Sequence, residues 1–336
     1  MLNTVIDQEV LEKFINDRPS TVAFEDIESH QQWNSFFLFL KSGSNVQLSA
    51  DDIDLASPIN IFLNILTTGR NGTKLSLSKF KKPHKDKLPK SIDVQTLFFL
   101  NENRTKCERL KKKNGLSFYS IDDYILGWRK LNFNFKSAIY SANKQDNRFK
   151  SWSIINEYVE AISDIVLIDA YIFSDQSLLE SNLYRIIESL GKRLLNKVNL
   201  TIVSYSDSRT PINIEAKYKA LRDFFEQMNL AINLSIVLTK QSNKQHDRAI
   251  ITNYFMINSG DSFNYFNSKG EVITKGTDIR FDSFCNPQAF QMAEVKLKAV
   301  NKVVEQIEHD SDMKKYLVGD VMGNKLLNRL ANDKRG

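Results

Sequence analysis

The sequence predicts an α/β protein built on two open sheets, and three observations carry that prediction. Runs such as Thr96–Asn101 and Ile165–Ile172 are apolar at nearly every position, as strands buried on both faces of a parallel sheet must be. Segments with helical apolar spacing alternate with them, and strands that alternate with helices close into β-α-β crossovers. At 336 residues, 42% hydrophobic and 26% charged, the chain is long enough for two cores. The expected division is a Rossmann-like α/β domain over residues 1–145 and a second α/β domain over residues 151–336.

From the N-terminus, Val10, Leu11, Phe14 and Ile15 set a helix within Val5–Asp17 that Arg18-Pro19 ends. Thr21–Phe24 reads as a buried strand with Glu25 and Asp26 at its end. A helix over Ser29–Lys41 follows, carrying Trp33, Phe36, Phe37 and Leu40. Val46–Leu48 is a short strand, and Ser57-Pro58 opens a helix that runs to Leu66. Residues 79–90 then hold six lysines and two prolines in twelve positions. This is a basic loop whose Lys79, Lys81, Lys82, Lys85 and Lys87 are candidate nucleic-acid contacts; a solvated connector is the plainer reading.

Thr96–Asn101, a polar helix stopped by Gly115, and Leu116–Ser120 form a β-α-β unit. Ser120 caps the next helix, with Asp122 and Asp123 in its first turn. Glu25, Asp26, Asp122 and Asp123 all fall at carboxyl ends of strands, where such sheets hold ligands. A metal-binding acidic cluster broadly like that of PIN-type nucleases is one reading. Carboxylates placed to favour a helix dipole are the simpler one, so no metal is assigned.

The segment Lys130–Lys150 is polar, with the linker placed at Asn143–Lys150. Beyond it come a helix Trp152–Ala161, the strand Ile165–Ile172, a helix Ser177–Leu195, the strand Leu200–Ser204, a helix Ile214–Met228 and the strand Asn233–Leu238. His246–Ile257 is one more strand laid beside them. The helix Pro287–His309 spaces Phe290, Ala293, Leu297, Val300, Val304 and Ile307 by threes and fours, a core face or a dimer seam.

The chemistry concentrates in Gln245–Phe266. An imidazole at His246 can attack phosphorus or move a proton near neutral pH. Arg248 stands two residues on, projects to the same face of a strand, and can hold phosphate oxygens through its fork. Ser259, Gly260 and Ser262, in the loop Asn258–Ser262, offer hydroxyls and backbone amides to complete an anion pocket.

This segment resembles a half-domain of the phospholipase D superfamily, whose motif is H-x-K-x4-D with G-S six residues later. His246, Arg248, Asn253 and Gly260-Asp261 occupy the corresponding positions, and Ile165–Phe173 is similar to the I-x-I-x-D-P-Y-L strand that begins such domains. His246-Asp247-Arg248 with G-x-x-x-x-Y-F at Gly260–Phe266 is more similar still to the phospholipase-D-like C-terminal domain of microtubule-interacting-and-transport domain proteins and its bacterial relatives. The resemblance covers residues 163–310 and implies a phosphodiester ligand, no cofactor, and His246, Arg248 and Asn253 at the catalytic positions. Asn253 replaces a carboxylate and Asp261 a hydroxyl, which implies a partly eroded motif and a binding module. The alternatives are an active metal-independent nuclease or phosphodiesterase with two His246 side chains meeting in a homodimer, and a metal-dependent PIN-like site in the first domain.

The net charge of +6 leans toward an anionic partner, with nucleic acid ahead of an anionic lipid headgroup. A bacterial conflict or phage-defence setting is what the resemblance implies. No apolar run reaches the ~18 residues of a membrane span, and acidic residues stand where a secretory leader carries bases. A cytoplasmic location is therefore expected. Cys107 and Cys285 are the only cysteines and lack metal-ligand spacing.

Overall fold

The computed structural model describes residues 1–19, 27–49, 78–80, 92–140, 148–158, 160–191, 197–207, 211–240, 248–274, 276–309 and 315–332. They form two compact units, Met1–Asn132 with Phe284–Phe290, and Phe133–Ser283 with Gln291–Gly336.

In the first unit, β1 (Leu2–Ile6), β2 (Ser44–Ser49), β3 (Ser78–Phe80), β4 (Thr96–Leu100) and β5 (Ser117–Ser120) make a parallel sheet in the order β3-β2-β1-β4-β5. The order reverses between β1 and β4, as in open parallel α/β sheets. Sequence reading starts a helix at Val5, within the central strand β1. The helix begins only at Gln8, and Leu2–Ile6 is extended and largely buried. Ile6 and Val10 stand four apart, so the helical spacing reaches back over a strand that has no turn residues before it. The β4-to-β5 crossover forms as expected. Asn103 Oδ1 accepts from Lys106 N at 2.9 Å to start the helix Arg104–Asn114, and Gly115 ends it at φ 65°. The strand at 21–24, Glu25, Asp26 and the helix at 57–66 lie outside the described residues.

The second unit is one mixed sheet of β6 (Asn134–Ile139), β7 (Asp164–Ile168), β8 (Val198–Tyr205), β9 (Ile232–Thr239), β10 (Arg248–Ile251), β11 (Phe255–Ser259), β12 (Thr277–Ser283) and β13 (Leu317–Gly319). Their order is β13-β9-β8-β7-β10-β11-β12-β6. β7, β8 and β9 are parallel and joined through the helices Leu183–Gly191 and Ile214–Gln227, while every other pairing is antiparallel.

Three expectations are corrected here. The single strand over 246–257 is a hairpin, because Thr252 Oγ1 accepts the backbone N–H of Phe255 at 3.2 Å and turns the chain. The segment 130–150 is not wholly a connector, since Asn134–Ile139 pairs with β12 as an edge strand. Trp152–Glu157 is a 3-10 turn in place of a longer helix.

Register sorts the antiparallel half into two faces. Ile250 stands opposite Ile257, and Phe281 opposite Phe135, and these join the core with Trp152 and Tyr265. The alternate positions Asn258, Arg280 and Lys136 form a row across β11, β12 and β6 on the other face. The six apolar positions of the helix Pro287–His309 named above are all buried, so they serve the core.

Candidate phosphate-binding site

The row of Asn258, Arg280 and Lys136 floors a cleft of about 370 Å³, which the helix residues Met292 and Lys296 and the strand-end residues Arg248, Ser259 and Gly260 complete. Arg248 and Ser259 face each other across the first rung of the hairpin. Lys136, Arg280 and Lys296 line this cleft with the carboxylate of Asp278. Arg248, in register with Ser259 and two residues from Ile250, projects from the opposite face toward Tyr171 and Asp169. Lys136 Nζ lies 3.5 Å from Asp278 Oδ2, an exposed and weak pair. Asp282, buried behind the cleft, holds Arg280 Nε at 2.6 Å and Asn258 Nδ2 at 3.1 Å, which fixes the Arg280 fork in place.

Arg248 differs from these neighbours. Its Nε is buried without a hydrogen-bond partner among the described residues, and so is Thr277 Oγ1. A Cβ built on Gly260 would meet Thr277 Oγ1 at 2.8 Å, so only glycine lets β11 pass so close to that hydroxyl. Buried donors are almost always satisfied, so the unpartnered Arg248 Nε marks where an acceptor-rich ligand or water belongs.

The loop after β11 does not present the amide cradle expected of it. Gly260 N donates to Asp278 O at 3.1 Å, Asp261 N to Ser259 Oγ at 3.0 Å, Ser262 N to Asp261 Oδ1 at 2.8 Å, and Phe263 N to Asp169 Oδ2 at 2.8 Å. The hydroxyl of Ser259 is engaged by Asp261 O and Tyr265, and that of Ser262 donates to Asp169 Oδ2 at 2.7 Å. Thus Arg248, Ser259 and Gly260 come together at the end of the hairpin, while Ser262 anchors the loop through Asp169. The carboxylate of Asp261 also takes Thr274 Oγ1 at 3.2 Å.

Asp169, at the end of β7, is the anchor that ties this loop down. Burial raises its pKa above the ordinary carboxylate range, against the pull of bonds from Tyr171, Ser262 and Phe263 and of the nearby Arg248 charge. Asn253 is fully buried at the hairpin turn. Its Oδ1 accepts from the backbone of Ser163 at 2.9 Å and of Asp164 at 3.2 Å, and its Nδ2 donates to Ser163 Oγ at 2.9 Å. It lines no part of the cleft.

His246 lies outside the described residues, two positions before β10 begins. Lys81, Lys82, Lys85 and Lys87 do too, and Lys79 is placed only as backbone in β3, the edge of the first sheet. Of the acidic residues, Asp123 is bound by Arg104 Nε at 2.6 Å and Ser120 Oγ at 3.1 Å, and the Arg104 bond holds its carboxyl below the usual range. Among the described residues no group of three or more His, Cys, Asp or Glu converges as metal ligands would.

Sequence reading missed Lys136, Arg280 and Lys296. The signal was present as strict alternation, Phe133, Phe135, Ser137 and Ile139 against Asn134, Lys136 and Ala138, and Ile279 and Phe281 against Asp278, Arg280 and Asp282.

No family model matches the chain, and no curated protein matches it. Among solved structures, the crystal structure of phosphatidylserine synthase from Haemophilus influenzae Rd KW20 is similar over 60% of this chain, at 12% identity and a TM-score of 0.32. The match spans 46% of that protein, under half its length. No helix among the described residues is long and apolar enough to cross a membrane.

Proposed function

We propose that the second unit binds the phosphodiester backbone of nucleic acid through Arg248. One observation carries the reading: Arg248, whose buried Nε has no hydrogen-bond partner among the described residues, stands at the position the phospholipase-D-like motif gives to its phosphate-holding lysine. A guanidinium meets phosphate oxygens in two parallel bonds and would satisfy that donor directly. Binding without turnover is the favoured form. Asn253, at the position of the motif carboxylate, is wholly engaged in bracing Ser163 and Asp164. A setting in phage defence belongs to the same proposal and rests on the sequence resemblance alone.

The test is fluorescence anisotropy with labelled single-stranded DNA and RNA over a salt titration, with and without EDTA. Wild type is expected to lose affinity steeply between low and physiological salt, with log K falling by about 0.7 per log unit of salt for each phosphate neutralised. Arg248→Gln should weaken binding and reduce that slope by about one contact. Affinity that ignores salt would sink the proposal. Cleavage in EDTA that disappears in His246→Ala would replace the binding module with a metal-independent nuclease.

A further inference from the structure

A second cleft of about 420 Å³ opens beyond the carboxyl ends of β7 and β8, where open α/β sheets hold their ligands. Its walls are aromatic and polar together, Tyr171, Phe173 and Tyr205 with Gln176, Asp207 and Lys217. The Arg248 guanidinium carbon lies 5.9 Å from the Tyr171 ring centroid, which brings Arg248 to the edge of this cleft. The phosphate-facing cation and an aromatic face are therefore direct neighbours.

The backbone of Tyr171 is held unusually firmly for a residue whose side chain is 37% exposed. Its N–H donates to Asp169 Oδ1 at 2.9 Å, and its carbonyl accepts from Ser174 N at 3.0 Å, Ser174 Oγ at 2.7 Å and Asn264 Nδ2 at 2.9 Å. The same Asp169 fixes the loop behind Arg248 through Ser262 and Phe263, so one buried carboxylate sets ring and guanidinium relative to each other. An exposed ring on a pre-set backbone stacks on a flat ligand with little ordering cost.

We infer that this second cleft is a base-binding subsite, in which a nucleobase stacks on Tyr171 while its own phosphate rests on Arg248, so that the ligand is a single-stranded nucleic acid. The inference rests on the phosphodiester reading and adds the ligand's class. A nucleotide is the phosphodiester that carries a flat ring next to each phosphate. The charges favour it over a lipid headgroup, because choline or ethanolamine would bring a cation against Lys217, whose Nζ sits 5.9 Å over the Phe173 ring. A base offers acceptors to Lys217 and amines to Asp207. Lys217 Nζ donates to Gln176 Oε1, which holds it at the cleft wall.

The experiment compares a short labelled single-stranded oligonucleotide with the same backbone stripped of bases, using the full chain at low salt. Wild type should bind the base-bearing strand about tenfold more tightly. Tyr171→Ala should erase that preference, and Tyr171→Phe, which keeps the ring, should retain it. Arg248→Gln should weaken both strands equally. Equal wild-type affinity for both strands would overturn the base subsite while leaving the phosphodiester reading standing. Retention of the preference in Tyr171→Ala would also overturn it. Binding to phosphatidylglycerol vesicles that the oligonucleotide cannot displace would overturn nucleic acid as the source of the phosphate, and failure to bind either strand or vesicles would overturn both readings.

Discussion

Two buried polar side chains, Asp169 and Asn253, carry the local order of the candidate site without facing a ligand. Asn253→Ala would strand the N–H groups of Ser163 and Asp164 and should cost about 1–3 kcal/mol in urea unfolding, with the salt slope of nucleic-acid binding unchanged. Asp169 adds a pH dependence whose sign follows from its environment. Burial raises its folded-state pKa, so the folded chain holds this proton more tightly than the unfolded chain does. Its contribution to stability is therefore greatest at acid pH, falls as pH rises from the ordinary carboxylate range to the raised value, and is flat above that. In Asp169→Asn the window should vanish. The stability advantage of wild type over this variant, followed by chemical denaturation from acid to neutral pH, is expected to shrink as pH rises. An advantage that grows instead would show a carboxylate stabilised in its charged form.

Strands decide how the site is assembled, and they were unevenly legible. The parallel strands β7, β8 and β9 announce themselves, because burial on both faces demands unbroken apolar runs such as Ile165–Ile168. The antiparallel strands β6 and β12 do not. Five of their thirteen positions are Lys, Arg, Asp or Asn, and three of these, Lys136, Asp278 and Arg280, line the cleft, so the residues that shape it also lower the apolar signal of the strands. Arg248 and Gly260 were readable from motif spacing, whereas no spacing rule could show that the loop amides would find partners inside the protein. Helix packing is equally local. A Cβ on Gly127, in the helix Tyr124–Leu131, would fall 2.1–2.5 Å from ring atoms of Tyr119. Gly127→Ala should destabilise the first unit by about 1–3 kcal/mol, read as a lower urea midpoint.

Both cysteines belong to the first unit, and both are buried. Burial pushes the Cys107 thiol up to about 12. Native protein should therefore resist a thiol reagent at mildly alkaline pH and react only as that unit opens. Prompt labelling of Cys107 in native conditions would contradict its burial. Because Phe284–Phe290 completes the same unit and buries Phe284, Ala289 and Phe290, a chain cut after Asn132 lacks part of its own core. Such a fragment should unfold with lower cooperativity than the intact protein, measured by circular dichroism during urea titration.

That late segment also sets an order of events during synthesis. Domains generally fold as they leave the ribosome, N-terminal first. Here the unit that begins at Met1 cannot close until Phe290 has emerged, by which time β6 through β12 have already been made. The sheet bearing the cationic cleft is thus available to organise before the unit that precedes it in sequence is complete. The first unit waits, with an unfinished core, for the chain to return.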